Sequence, residues 1–217
     1  MRLGLLGDVH AEDVRLSAAL ERFEREGVDH VLAVGDFVDG RGDVERTLRL
    51  LRDHGVLSVR GNHDRWLIHS EMRGLPEAHR EEALCSESLE WLRALPPTIT
   101  LGSPVGPLLL CHGIGRDDMT GLRPTDEEPA VAAMDGLQAL VLADQVRIIV
   151  SGHTHERMVR RVGGLTLVNP GTLRQGDSPC VAVLDLLKAE VTFLNFDAQQ
   201  ALIEAERFDL SAEGFPA

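Results

Sequence analysis

The sequence predicts an α/β fold of two stacked β-sheets with helices on the outside. Three observations carry this. Over the first 60 residues short apolar runs alternate with amphipathic helical stretches, which marks β-α-β units and a parallel sheet. After residue 156 the helical signal fades and short β segments follow at hairpin-like spacing, which predicts a second, more antiparallel sheet packed on the first. No repeat, low-complexity tract or linker interrupts the 217 residues, so one domain is expected over 1–217; a chain of this size buries roughly 70% of its unfolded surface.

Residues 2–6 read as the first core strand and not as a secretory leader, being too short and too quickly acidic. Asp8 and His10 follow at i and i+2, a spacing that puts both side chains on one face of extended backbone. Residues 11–26 carry Val14, Leu16, Leu20 and Phe23 among charges, a helix stopped by Gly27. The unit then repeats as strand 30–34, loop 35–42, helix 43–54 with Asp43 as N-cap and Gly55 as stop, and strand 56–59. The two ends of this stretch, GDFVDG from Gly35 and RGNHD to Asp64, each set a glycine before metal-capable side chains: Asp36 in one, Asn62 and His63 in the other. Ligand sites of open α/β sheets lie at such carboxyl ends.

From 65 to 96 the pattern is helical but broken at Gly74 and Pro76, with a helix over 81–95. Strands at 98–101 and 108–111 follow, the second delivering His112 before Gly113. A Gly/Asp/Pro-rich loop over 113–129, a helix over 130–144 and a strand over 147–150 lead to SGHTH, with His153 and His155 again at i and i+2. The remaining β segments are 158–162, 165–168, 181–187 and 191–196, and residues 208–217 read as a frayed tail.

Composition excludes several classes. A formal charge of −13 without a Lys/Arg block argues against general nucleic-acid binding, as does 4% aromatic content with no tyrosine. A small phosphate ester stays admissible, because bound divalent cations dominate the local field. No apolar run approaches membrane-spanning length. Cys85, Cys111 and Cys180 are odd in number and widely spaced, which reads as reduced thiols of a cytoplasmic protein.

Five strand ends thus supply Asp8, His10, Asp36, Asn62, His112, His153 and His155, with no cysteine among them. Imidazole mixed with carboxylate suits Mn, Fe, Zn, Ni or Co better than Ca. Seven side chains exceed what one ion takes when water must also bind, so two ions sharing a carboxylate satisfy the set. With two aspartates and one hydroxide the site carries about +1, which suits an incoming phosphate ester attacked in line by metal-bound hydroxide.

DVH at 8–10, GDFVD at 35–39, GNHD at 61–64, HG at 112–113 and GHTH at 152–155 together resemble the five signature motifs of the calcineurin-like metallophosphoesterases, in family order. NPGT at 169–172 is similar to a turn of small bacterial phosphodiesterases of that superfamily. The resemblance implies a four-layer αββα sandwich and two divalent transition-metal ions, Mn first and Fe, Ni, Zn or Co as alternatives. It implies Asp8, His10, Asp36 and His155 around one ion and Asp36, Asn62, His112 and His153 around the other. It also implies that His63 serves the leaving oxygen and that Asp39 orients His63. The expected activity is hydrolysis of phosphodiesters or small phosphomonoesters. Phosphoprotein phosphatase or diadenosine polyphosphate hydrolase is an alternative, and a metal-binding scaffold of the same fold a non-enzymatic one. The protein phosphatases carry arginine directly after the second aspartate of GDxxD, where this chain has Gly40 and then Arg41. Arg60 and Arg41 are the candidate phosphate contacts. Arg116, Arg123 and Arg174 read as solvated loop residues, Trp66 and Trp91 as core packing, and His30, His54, His69 and His79 as surface or satisfied core.

Overall fold

The computed structural model describes residues 1–211. In chain order the strands are β1 (Arg2–Leu6), β2 (His30–Ala33), β3 (Leu57–Ser58), β4 (Thr98–Leu101), β5 (Leu108–Cys111), β6 (Ile148–Val150), β7 (Met158–Val162), β8 (Leu165–Asn169), β9 (Cys180–Asp185), β10 (Glu190–Phe196) and β11 (Leu202–Asp209). The helices are α1 (Asp13–Glu26), α2 (Val44–Asp53), α3 (Asn62–Ile68), α4 (Ser86–Ala94), α5 (Glu128–Ala132) and α6 (Asp135–Ala143). One sheet runs β11-β10-β9-β1-β2-β3 and the other β4-β5-β6-β8-β7.

Strand alternation builds three apolar layers from these elements. Leu3 and Leu5 of β1 point into the space between the sheets, where they meet Leu108 and Leu110 of β5 and Ile148 and Val150 of β6. The opposite face of the first sheet packs on Leu16, Leu20 and Phe23 of α1 and on Leu48 and Leu51 of α2. Leu109 and Cys111, the alternate residues of β5, pack with Leu137 of α6 and Val131 of α5. The order is therefore helix, sheet, sheet, helix. In α2 the Asp43 side chain accepts from the Arg46 amide at 2.9 Å, and Val44, Thr47, Leu48 and Leu51 form one buried stripe at helical spacing. Among the described residues no helix is long and apolar enough to cross a membrane.

Several sequence expectations need correction. The late strands do not all form the second sheet: β9 pairs antiparallel with β1, placing β9, β10 and β11 on the first sheet, while β8 runs parallel to β6. Local periodicity shows that a segment is extended, not which edge it will join. The strand β11 was not expected, because its exposed edge position leaves it largely polar. It reaches into the expected tail: Phe208 pairs with Val191 and its ring meets Phe193 at 5.7 Å. The tail from 212 on lies outside the described residues. The 81–95 helix is a 3-10 turn over Glu81–Ala83 followed by α4 from Ser86, with the Cys85 sulfur capping the Ser88 amide. The 130–144 helix is two helices with a break at Ala133 and Met134.

Candidate metal centre

The site lies where β1, β2, β3, β5 and β6 end. Asp8 is fully buried, and its carboxylate accepts from the His153 amide at 3.0 Å. Its own backbone is clamped by the turn after β8: the Asp8 carbonyl accepts from the Thr172 hydroxyl at 2.7 Å and the Leu173 amide at 2.9 Å. In the same turn the Asn169 amide group donates to the Gly152 carbonyl at 3.0 Å. NPGT therefore braces both the first and the last of the five motifs. Asn62 and His63 do not sit in a loop but in the first turn of α3, with Gly61 as N-cap and the buried Asp64 carboxylate accepting from the Gly61 amide at 2.9 Å. Asp64 also accepts from the Phe37 amide at 2.8 Å, which ties α3 to the loop after β2.

The backbone around these residues is strained in a consistent way. His10, Asp36, Asp39, His153 and His155 all have left-handed φ, between 48° and 69°. For residues other than glycine this costs about 1–3 kcal/mol each and collects at functional sites. Glycine is required where the loops close on the ligands. A Cβ on Gly61 would sit 2.2 Å from Asp36 Oδ1, and one on Gly152 would sit 2.6 Å from Asp8 Oδ2.

Two groups of donor atoms result. In the first, one ligand atom from each of Asp8, His10, Asp36 and His155 lies within 4.8 Å of every other. In the second, His112 Nε2 lies 3.5 Å from Asp36 Oδ2 and 2.8 Å from the Asn62 side-chain oxygen, which is 3.0 Å from His153 Nδ1. Asp36 belongs to both groups. The ring nitrogens that face outward are fixed. His10 Nδ1 meets the Asp39 carbonyl at 2.8 Å, His112 Nδ1 the Val34 carbonyl at 2.9 Å, and His155 Nδ1 the Asp177 carboxylate at 2.9 Å. When neutral, each therefore carries its proton on Nδ1 and turns an Nε2 lone pair inward.

This arrangement tests the fit of cations. His10 Nε2 and His155 Nε2 stand 3.1 Å apart, both turned inward, and with both rings neutral they face each other as two acceptors. The Asn62 oxygen likewise faces imidazole lone pairs; turned end for end, its nitrogen would donate to His112 and His153 instead. Inward lone pairs from nitrogen and oxygen, held from behind by fixed partners, are the donor set a transition-metal ion takes. Charge has adapted to this crowding. Burial pushes the Asp8 carboxyl above the ordinary range, and burial likewise depresses His10. Burial also opposes ionisation of Asp36, but His112, His63 and His10 outweigh it and hold the pKa down.

Beside the two groups, His63 Nδ1 meets Asp39 Oδ2 at 2.8 Å, and its ring stands edge-on to His10 at 5.0 Å. Burial works against a charged His63, yet the Asp39 hydrogen bond and the Asp36 charge raise its pKa. Asp39 is itself held by residues that local sequence patterns do not mark. Arg73 grips it through two nitrogens at 2.8 and 2.9 Å, and the His79 amide donates to it at 2.8 Å. His79, read as surface or satisfied core, is half-buried and bonded to Asp39, so it also braces that carboxylate. Trp66, expected in the core, is half-buried with its ring against His63 at 4.7 Å, whereas Trp91 packs on Phe37 as expected.

The arginines divide. Arg41 turns to Glu77, so the structure gives it a carboxylate partner instead of a free guanidinium for phosphate. Arg123 pairs with Glu156, and Arg174 lies 3.5 Å from Asp177. Arg60 and Arg116 instead line a cleft of about 310 Å³ that His112 also lines. His30, His54 and His69 are exposed and away from these groups.

A family model described as the calcineurin-like phosphoesterase superfamily domain matches residues 1–189. A curated relative, an uncharacterized protein of Methanocaldococcus jannaschii, is 25% identical over 101 residues, 43% of this chain. The match spans 42% of that relative's length. A solved metallophosphoesterase from Sphaerobacter thermophilus has a TM-score of 0.63 at 22% identity, over 100% of this chain and 95% of that one. Vps29 from Entamoeba histolytica, solved in complex with zinc, has a TM-score of 0.57 at 20% identity, over 97% and 99% of the two chains. Likeness at these identities is a statement about fold.

Proposed function

The chain belongs to the calcineurin-like phosphoesterase superfamily, and from that premise we propose that it is a metal-dependent hydrolase of phosphodiesters or small phosphomonoesters working with two divalent ions, Mn first among them. One observation carries the reading: Asp36 stands between two groups of inward lone pairs, with His63 fixed beside them by Asp39. Asp8, His10, Asp36 and His155 would hold one ion, and Asp36, Asn62, His112 and His153 the other. When bound, such ions polarise the phosphoryl oxygens and make water nucleophilic near neutral pH.

The chain's own part concerns the leaving group. Asp39 holds His63 by Nδ1 and favours its protonated form, which leaves the Nε2 proton for the departing oxygen. His63 is the general acid in this reading, and Asp39 and Arg73 position it. At 22% side-chain exposure His63 is accessible to a substrate. Likeness to Vps29 favours a second reading, a metal-binding scaffold without turnover.

The test is to strip the protein of metal, refill it separately with Mn, Fe, Ni, Zn and Mg, and assay paired aryl diester and monoester phosphates while counting ions per chain. Turnover that returns with a transition metal at two ions per chain is the expected result. Two ions bound with no turnover of either ester under any metal would overturn hydrolysis and leave the scaffold.

A further inference from the structure

Two of the clefts near the centre differ in one respect. The first is lined by Glu12, Gly40, Arg41, Glu77, Arg174 and Gln175. Its guanidiniums are spoken for, since Arg41 pairs with Glu77 and Arg174 lies 3.5 Å from Asp177. The second is lined by Arg60, Arg65 and Arg116 together with His112, Asp117 and Asp118. Here Arg65 is held by Asp118 through contacts of 2.7 and 2.9 Å, and Asp117 folds back on its own turn, accepting from the Met119 amide at 2.8 Å and the Thr120 hydroxyl at 2.7 Å. Arg60 and Arg116 have no carboxylate partner among the described residues.

Of the arginines without a carboxylate partner among the described residues, Arg60 and Arg116 are the two that line a cleft shared with His112, on a chain that has 35 acidic residues against 22 lysines and arginines. They are also placed close to the chemistry. His112 forms part of the cleft wall, and the Asp118 carbonyl lies 3.3 Å from the inward end of the Asn62 amide. The cleft volume, about 310 Å³, is at the small end of ligand sites, enough for one substituent of a substrate and not for a second large molecule. A guanidinium fork matches an oxyanion in two hydrogen bonds, and Arg is always charged.

We propose that Arg60 and Arg116 form a subsite for a second oxyanion, so that the preferred substrate is a phosphoester carrying a further phosphate or carboxylate on its non-reacting arm. This rests on the hydrolytic reading of the centre and adds the substrate class. The second anion is bound without covalent change, on the His112 side of the centre and away from Arg41 and Arg174.

The test uses aryl phosphodiesters whose second arm ends in a neutral amide, a carboxylate or a phosphonate at one spacing, assayed with the metal-loaded full chain. The expected kcat/KM ratio, anionic over neutral arm, is about tenfold or more in the wild type, in line with charge-assisted hydrogen bonds. In Arg60→Ala and in Arg116→Ala this ratio falls toward one. In Arg174→Ala it stays at the wild-type value. Arg116 is exposed, so its variant tests the subsite without disturbing the core. The phosphonate and carboxylate arms separate the two kinds of oxyanion. Equal ratios for all arms in the wild type, or an anionic preference that survives both substitutions, would overturn the subsite. Failure of every ester, neutral arm included, would instead sink hydrolysis. In that case calorimetric binding of methylene-bridged analogues, with neutral or phosphonate arms, still decides the subsite: tighter binding of the phosphonate arm lost in Arg116→Ala supports it, and equal binding overturns it.

Discussion

His63 and Asp39 show how single residues divide the work. A proton donor to the leaving oxygen matters most when that oxygen is basic. His63→Ala is therefore expected to lower kcat by about 100-fold or more on alkyl phosphate esters and much less on nitrophenyl esters, with two ions retained. Equal losses on both, measured by steady-state kinetics with metal counting, would remove the leaving-group role. Asp39 has a stability signature as well. Burial opposes its ionisation, but His63, Arg73 and the His79 amide outweigh this and lower the carboxyl from 3.8 to about 2. A depressed acid stabilises the fold above its unfolded pKa, and that contribution is lost as pH falls through the folded one. The contribution is about 2 kcal/mol at neutral pH. Asp39→Asn should show this deficit in urea denaturation at pH 7 and a shallower loss of stability between pH 4 and pH 2. A deficit unchanged across that window would mean that packing, and not charge, is at stake.

At the scale of elements, the site is a set of strand ends closed by tight loops. The loop after β6 is tightly constrained, since Gly152 leaves no room for a side chain between Val34 and Asp8. Gly152→Ala should cost metal occupancy at the Asp8 group, read by elemental analysis of the folded protein, whereas full occupancy would show that the loop can yield. These loops were legible in the sequence because a glycine beside Asp, Asn or His at the end of an apolar run leaves a local mark. Arg73 and His79 left none: they come from an irregular segment without period, and only the tertiary fold brings them to Asp39. The start of α3 at Asn62, three residues before the helical pattern read from 65, becomes visible only once Gly61 and Asp64 are seen as a cap. Strand pairing was the largest miss. The hairpin spacing of β9 and β10 is visible in the sequence, but their attachment to β1 is a long-range choice.

For the whole molecule, the donor groups span the two sheets. Asp8, Asp36 and Asn62 follow β1, β2 and β3, while His112, His153 and His155 follow β5 and β6. Ions held there join the sheets at one rim, so chelation acts on global stability. With metal at about 100 times its dissociation constant the stabilisation is about 2.7 kcal/mol. For a chain of this size that is roughly 5–10 °C in Tm. Differential scanning calorimetry with and without chelator measures it, and an unchanged Tm would show that the folded chain holds no ion in preference to the unfolded one.

The central place of β1 has a consequence for synthesis. It is made long before one of its two neighbours, β9, which begins only at Cys180. At about 5–20 residues per second, β1 waits on the order of ten seconds with one edge unpaired. The same delay separates Asp8 from the turn at Thr172 that fixes its backbone. The nascent chain thus carries an open, apolar sheet edge until β9 is made, and the Asp8 backbone is held only once the turn at Thr172 has followed.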